Sequence, residues 1–148
     1  MTTNPNVRMS DQFVPIGSVD PDANAAAAYS TAWVSMGVWE QVMAYIMAGV
    51  LGTSATLDAK LEQATDSSGT GVKDITGKAI TQLVKASNDD DQAVINCRSE
   101  ELDVAGGFDH VRLTITVGTA TSDCSAALFG AAARYAVGAD EASVVEIV

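Results

Sequence analysis

Basic residues are scarce in this chain of 148 residues, which has 8 lysines and arginines against 19 aspartates and glutamates. Its formal net charge is −11. Binding to a nucleic-acid backbone or to an anionic membrane surface depends on clusters of lysine and arginine. We therefore expect neither nucleic acid nor membrane among the partners. The acidic balance suits a soluble protein, or one that docks on a basic partner.

Long apolar runs are lacking as well. The most apolar run, residues 42–51, is ten residues long, whereas a transmembrane helix needs roughly 20. Residues 1–22 do not place an apolar segment behind a basic one, so we expect no secretory signal. With 47% hydrophobic and 18% charged residues, the composition is that of a globular domain with one sizeable core.

Residues with catalytic or metal-binding chemistry are few. Any catalytic triad must use His110, the one histidine. Asp109 precedes it, but neighbouring side chains of a strand point to opposite faces, so we expect no pairing between the two. A nucleophile elbow of the form G-x-S-x-G is absent. A zinc site from His110, Cys97 and Cys124 would lack a fourth ligand and any CxxC spacing. These patterns predict no enzyme, no cofactor and no metal.

Two loop motifs also fall short of ligand sites. A phosphate-binding loop ending at Gly77-Lys78 would need glycine where Val72 stands. The acidic run at 89–91 lacks the alternate spacing and the glycine of a calcium loop, which favours a solvated loop. Gly69 and Gly71 lie in a run of turn-forming residues, which predicts a hairpin loop.

The two cysteines, Cys97 and Cys124, are too few to define a disulfide framework. We expect two buried thiols of a protein in a reducing cytoplasm. The alternative is a single bridge between neighbouring strands.

Apolar and polar residues alternate in several segments with the period of a half-buried strand. At 56–63 the inward side is Leu57, Ala59 and Leu61, and 108–117 alternates in the same way around Leu113. The other predicted strands lie at 31–35, 38–50, 72–83 with a break at Gly77, 92–98, 126–135 and 142–148. Short helical turns are expected at 25–28 and 99–102. This pattern predicts an all-β fold, an antiparallel β-sandwich or jelly roll.

All three prolines lie within the first 21 residues. Because proline is excluded from helix interiors and central strands, we expect an extended N-terminal arm over 1–28, followed by one sandwich domain over 29–148. On this division the sandwich would fold without the arm. The arm carries apolar residues that could clamp onto its own domain or onto a partner: Phe13, Val14, Ile16 and Val19.

The segment 142–148 is apolar and rich in β-branched residues. It predicts a last strand of the sandwich. The alternative is a strand that Val144, Val145 and Ile147 add to a partner or a neighbouring subunit.

The core from about residue 38 to 135 resembles a family of small virion proteins of tailed bacteriophages and gene transfer agents. The resemblance rests on the order of strands and turns in ATLDAKLEQATDSSGTG at 55–71, KDITGKA at 73–79, ELD at 101–103, FDHVRL at 108–113 and the alanine-rich segment 126–135. It covers roughly two thirds of the chain, and residues 1–28 match no pattern of the family.

The resemblance implies a structural protein on the outside of a phage-like capsid, made in the bacterial cytoplasm. It would be the base of a head spike, a vertex-bound oligomer that carries a fibre, or a capsid decoration protein. The implied partners are the major capsid protein, a spike fibre protein and further copies of the chain, with a homopentamer favoured. The first alternative is a tail tube or terminator ring subunit. The second is a carbohydrate-binding module, based on Trp33, Trp39 and Tyr45.

Overall fold

The computed structural model describes residues 5–135 and 139–148. Within them, one short helix, two 3-10 turns and ten strands follow one another along the chain. The helix is α1 (Met9–Gln12) and the 3-10 turns are Ser99–Glu101 and Val104–Gly106. The strands are β1 (Phe13–Asn24), β2 (Ala28–Ser30), β3 (Val34–Ser35), β4 (Trp39–Ala48), β5 (Thr56–Ala64), β6 (Lys73–Ala79), β7 (Leu83–Val84), β8 (Gln92–Arg98), β9 (His110–Gly118) and β10 (Ser122–Ala133).

The strands form two antiparallel sheets. Sheet A has the order β1-β10-β4-β8, and sheet B has the order β2-β9-β5-β6, with β3 on β9 and β7 on β5. The short strands β3 and β7 extend the β2 and β6 positions, which leaves eight strand positions. The first pairs with the last, the second with the seventh, the third with the sixth and the fourth with the fifth. This pairing is a long hairpin rolled into two sheets, so the fold is a jelly roll. The predicted all-β fold is confirmed.

The core lies between the sheets because the strands alternate apolar and polar residues. On β5, Leu57 and Leu61 are fully buried, and on β9 so are Leu113 and Ile115. Sheet A adds Val42, Ala44 and Ile46 from β4 and Leu128 from β10. The predicted inward faces of both alternating segments are confirmed.

One close approach in the core depends on a glycine. The ring of Trp39 lies over Gly130, where an added Cβ would meet the indole Cδ2 at 2.4 Å. Trp39 itself is buried. Because Gly130 of the alanine-rich strand β10 has no side chain, the Trp39 indole can pack directly against the β10 backbone. That strand also confirms the strand prediction for 126–135 over the helix that alanine content alone favours.

The segment predicted as an arm contributes a strand of sheet A. Strand β1 pairs with β10 from Phe13↔Ala131 to Asn24↔Ser122, with register shifts between Pro15 and Gly17 and between Val19 and Asp22. Both shifts occur next to a proline, and proline is tolerated in a strand at a sheet edge or bulge. The backbone is extended as predicted, and the chain lies against its own sandwich.

Four smaller predictions are corrected. Residues 25–28 form no helical turn, because Ala28 already pairs with Thr116 of β9. Gly77 does not break its strand, since β6 passes through it with a φ of +75°. Of the strand predicted at 31–35, only Val34–Ser35 pairs. The residues 142–148 form a turn and an exposed segment and no strand.

Candidate interaction surfaces

His110 and Asp109 do contact each other, contrary to the sequence-based expectation. His110 Nδ1 lies 2.6 Å from Asp109 Oδ1. The alternation rule does not apply to the pair, because β9 begins at His110 and Asp109 precedes it. Among the described residues no group of three or more histidine, cysteine, aspartate or glutamate side chains is placed to hold a metal ion. Within residues 5–135 and 139–148, no other side chain hydrogen-bonds to the side chains of this pair.

Both cysteines are free and buried. They lie on strands separated by β4, which pairs Val42 with Cys97 and Ala48 with Cys124. A disulfide requires adjacent positions with Cα atoms about 4.4–6.8 Å apart, so a bridge between these strands does not form. Burial raises the pKa of the Cys97 thiol to about 11.

The polar loop after β5 is stabilised by hydrogen bonds between its own residues. In the hairpin after β5, the Asp66 carboxylate accepts backbone N–H bonds from Ser68 and Thr70 at 2.9 and 3.0 Å. Gly69 and Gly71 have φ values of +84° and +68°, the left-handed region that glycine adopts without strain. This confirms the predicted hairpin glycines.

Two carboxylates of the acidic loop at 89–91 also accept hydrogen bonds from nearby residues of the chain. Asp89 accepts a hydrogen bond from Lys85 Nζ at 2.5 Å and one from the backbone of Leu51 at 3.0 Å. Asp91 accepts one from the side chain of Asn88 at 2.8 Å. These acids therefore stabilise a loop.

The outer face of sheet B carries a connected polar network. Glu62 on β5 accepts hydrogen bonds from Arg112 Nε and Thr114 Oγ1 of β9, both at 2.8 Å. Lys60 lies 3.1 Å from the other Glu62 oxygen and 2.7 Å from Asp74 on β6. The network continues to Ser30, whose hydroxyl is 2.7 Å from that of Thr114. Every charged group in it has a partner of opposite sign.

The Glu62 carboxylate is the most buried acid of this network, with 8% of the residue exposed. Burial raises its pKa, but the hydrogen bonds from Arg112, Thr114 and Lys60 outweigh that effect, so the pKa lies below its ordinary value. The carboxylate is therefore ionised and bonded, as a partly buried charge requires. Arg112 also stacks on Trp33, with its guanidinium carbon 4.6 Å from the ring centroid.

The outer face of sheet A has no such network. The four central segments 13–19, 41–47, 92–97 and 125–131 contain no charged residue at all. Cross-strand pairing aligns Pro15, Phe129, Met43 and Asn96 in one row. The next row aligns Ser18, Ala127, Tyr45 and Val94. We call these two rows, together with Phe13 and Met47, the uncharged face.

The uncharged face extends across all four strands of sheet A. Four strands spaced about 4.8 Å apart, over seven residues of about 3.3 Å each, give a face of roughly 19 by 23 Å. Apolar patches of several hundred Å² on a soluble protein commonly mark contact sites. Charged residues lie only at the ends of these strands, among them Glu40, Arg98 and Asp123.

The aromatic residues considered for sugar binding lie in three different environments. Trp39 is buried between the sheets. Trp33 lies under Arg112 and next to Gly69 at one end of sheet B. Tyr45 is on the uncharged face and hydrogen-bonds to Gln92. These three side chains therefore do not form a common platform.

The predicted docking residues of the N-terminal segment are mostly covered within the chain. Val14 and Val19 are buried in the core. Ile16 is half-buried and packs against the core. Phe13, also half-buried, is at the start of β1 beside Ala131. In this chain Phe13 is the one of the four that contributes to the uncharged face.

The predicted docking residues of the C-terminal segment are open. Val145 is 94% exposed and Ile147 is 45% exposed, while Val144 is half-buried. Just before them, the Glu141 backbone N–H donates to the Pro15 carbonyl at 2.8 Å. The Glu141 carboxylate accepts from the Ser18 hydroxyl at 3.0 Å. The chain thus passes along the free edge of β1 and then leaves it.

A cleft of about 510 Å³ opens at the end of sheet A. Pro21, Met47, Gly49 and Cys124 are among its lining residues. Asp22 and Asp123 at its rim make it acidic.

In the described part of the chain, no helix is long and apolar enough to cross a membrane.

Comparison with known proteins adds little to this geometry. The chain matches no protein-family model, and no curated protein matches it. A chain in the structure of infectious bursal disease virus, Gt strain, aligns with 84% of this chain at 11% identity and a TM-score of 0.38. The alignment covers 32% of that chain, so the present chain spans about a third of its length. At this TM-score the match supports neither a shared fold nor a shared function.

Proposed function

We propose that the chain is a structural protein on the outside of a phage-like capsid, either the base of a head spike or a capsid decoration protein. As a spike base it would form a homopentamer at a vertex, contact the major capsid protein and carry a fibre protein. The virion class comes from the resemblance of residues 38–135 to small virion proteins of tailed bacteriophages and gene transfer agents.

The uncharged face of sheet A is the observation that carries an assembly role. A chain with a net charge of −11 repels its own copies wherever acidic surfaces meet, and the uncharged face is where that repulsion is smallest. Burial of its methionine, phenylalanine and valine side chains would favour association. The jelly roll is found in viral capsid domains and also in lectins, so the fold alone supports the proposal only by analogy.

Labelling of purified particles tests the proposal directly. An antibody against the chain should label the capsid, and the label should be confined to vertices if the chain is a spike base. Light scattering on a sizing column should give about 77 kDa for five copies of the 15.3 kDa chain. Label on tails only, together with a six-copy ring, would support the tail tube or terminator alternative and contradict the capsid role.

A matched pair of variants tests the role of the uncharged face. Met43→Glu places a carboxylate at the centre of this face, and Thr76→Glu places one on an exposed position of β6 in sheet B. We expect Met43→Glu to reduce particle binding strongly and Thr76→Glu to leave it unchanged. Both variants should melt cooperatively, which separates a lost contact from a lost fold. Equal binding by the two variants would show that another surface docks.

A further inference from the structure

One edge of sheet A is open in a way that the other described edges are not. Strand β8 is seven residues long, contains no proline or glycine and pairs with β4 without a register shift. Along 92–97, no described residue hydrogen-bonds to the backbone groups that point away from β4. At Arg98 the edge closes, because its N–H donates to the Glu101 carboxylate at 2.8 Å. An edge of this kind is a template for another strand.

The other edges are protected. Strand β1 contains Pro15 and Pro21, has two register shifts and is covered by Glu141. In sheet B, β6 pairs with β5 through a register shift and has a positive φ at Gly77, while β2 and β3 have three and two residues. Prolines, bulges and short strands are the usual means of blocking an edge.

The chain also contains a strand former without a partner strand. Residues Val144–Val148 have the sequence VVEIV, in which four of five residues are β-branched and favour strands. They belong to no strand, and Val145 and Val148 are almost fully exposed. Such a segment gains both backbone hydrogen bonds and apolar burial when it joins a sheet.

We propose that Val144–Val148 of one copy adds as a strand to the β8 edge of a second copy. This proposal deepens the proposed function and rests on it only for the symmetry of the assembly. Two features of the chain, its reach and its alternation pattern, support this occupant of the edge.

Residues Val144–Val148 are too far from β8 of their own chain to pair with it. Glu141 lies outside β1, and a strand added to β8 would lie about five strand spacings away, or roughly 24 Å. The three residues from Glu141 to Val144 span at most about 11 Å when fully extended. They are not extended, because the Val144 N–H donates to the Glu141 carbonyl at 2.9 Å. The segment therefore cannot complete the β8 edge of its own chain, so the proposed acceptor is the β8 edge of another copy.

The alternation of the segment matches the two faces of sheet A. If Val145 and Ile147 point inward, they extend the buried row of Ile95 and Cys97 on β8. Glu146 then points outward, on the same side as Arg98, with opposite charge. The reverse orientation would bury the Glu146 carboxylate against the core, which is unfavourable without a partner.

The donor segment and the acceptor edge lie at opposite sides of the same sheet. A contact between two such different surfaces is heterologous, and repeated copies close into a ring or continue as a filament. Strand addition would thus link copies head to tail through a continuous sheet A. A closed ring of five such copies is the vertex-bound oligomer of the proposed function.

Proline substitution in the full chain tests the proposal, because proline lacks the N–H that a strand ladder needs. The double variant Val145→Pro/Ile147→Pro should weaken association by roughly 100-fold or more. Its mass by light scattering should fall to that of one 15.3 kDa copy. The control Val145→Ile/Ile147→Val keeps every N–H and the β-branched side chains, and should retain the wild-type mass.

Amide hydrogen exchange identifies the receiving edge. In the wild-type oligomer, alternate amides of 92–97 should be protected, and this protection should be lost in the proline variant. Retention of the wild-type mass by the proline variant, loss of mass in the control, or a wild-type chain that stays monomeric at high concentration would each overturn the proposal. Protection that changes at β1 instead would also overturn it. Particle labelling of the wild type does not depend on these results, so the two proposals can fail separately.

Discussion

The two sheets of this jelly roll differ in the side chains of their outer faces. On sheet B, charged and hydroxyl side chains of β5, β6 and β9 bind one another, from Asp74 through Lys60 and Glu62 to Arg112. On sheet A, the corresponding rows hold Phe129, Met43 and Val94, and the four central segments contain no charge. The charged groups of one face are paired within the chain, whereas the other face leaves apolar side chains partly exposed.

This difference is the reason why the proposed contacts are placed on sheet A. A hydrogen-bonded charged face loses its hydration and gains little when a partner covers it. An uncharged face of low polarity gains from the same burial. The open edge β8 and the blocked edge β1 both belong to sheet A. Both proposed contacts, through the face and through the edge, would therefore lie on one sheet of the sandwich.

The largest expected effect concerns the completeness of sheet A itself. Deletion of residues 1–28 removes β1, takes Val14 and Val19 out of the core and exposes the edge of β10. We expect the truncated chain to lose cooperative thermal unfolding, measured by circular dichroism. Deletion of 144–148, which belong to no strand of their own chain and are mostly exposed, should leave the unfolding transition cooperative. A cooperative transition in the N-terminal deletion would show that β1 is an accessory strand.

Sequence patterns predicted the inner face of sheet B well and the ends of the chain poorly. Strands β5 and β9 alternate strictly, and alternation specifies both strand and face. The prolines of β1 suggested an arm because proline is excluded from central strands, but β1 is an edge strand, where Pro15 is tolerated. Whether a segment lies at an edge depends on the whole topology, which no local pattern contains.

The same limit explains the C-terminal segment and the histidine pair. The apolar residues Val144, Val145 and Ile147 predict a strand, but a strand needs a neighbouring edge within reach, and Glu141 holds the chain at β1. Asp109 pairs with His110 because the strand predicted at 108–117 starts two residues later, at His110. The uncharged face could have been found from the sequence by its four charge-free segments, once their pairing was known.

A second prediction compares the inside of sheet B with the outside of sheet A. Leu113 is fully buried, so Leu113→Ala should lower the free energy of unfolding by about 2–5 kcal/mol. Met43→Ala on the uncharged face should lower it by less than about 1 kcal/mol, because its site can fill with solvent. Urea denaturation of both variants measures the difference. A cost of several kcal/mol for Met43→Ala would mean that the uncharged face already has a partner within the chain.

The smallest expected change in the free energy of unfolding comes from removing one charge on each sheet. Glu62→Gln removes a charge that accepts bonds from Arg112 and Thr114 in a buried position, and should cost about 1–3 kcal/mol at pH 7. Glu40→Gln makes the same chemical change at an exposed ion pair with Arg134 on sheet A. It should cost less than about 1 kcal/mol.

The pH dependence of this pair provides the sharper test. Because the pKa of Glu62 in the folded chain lies below its ordinary value of 4.5, its contribution is present above pH 4.5. It is lost as the pH falls through the lower folded value. The stability difference between wild type and Glu62→Gln should therefore shrink in acid. The other acids of the chain are present in both proteins, so subtracting the two curves isolates Glu62. A difference that stays constant from pH 7 to pH 3 would show that packing, and not the bonded charge, stabilises the outer face of sheet B.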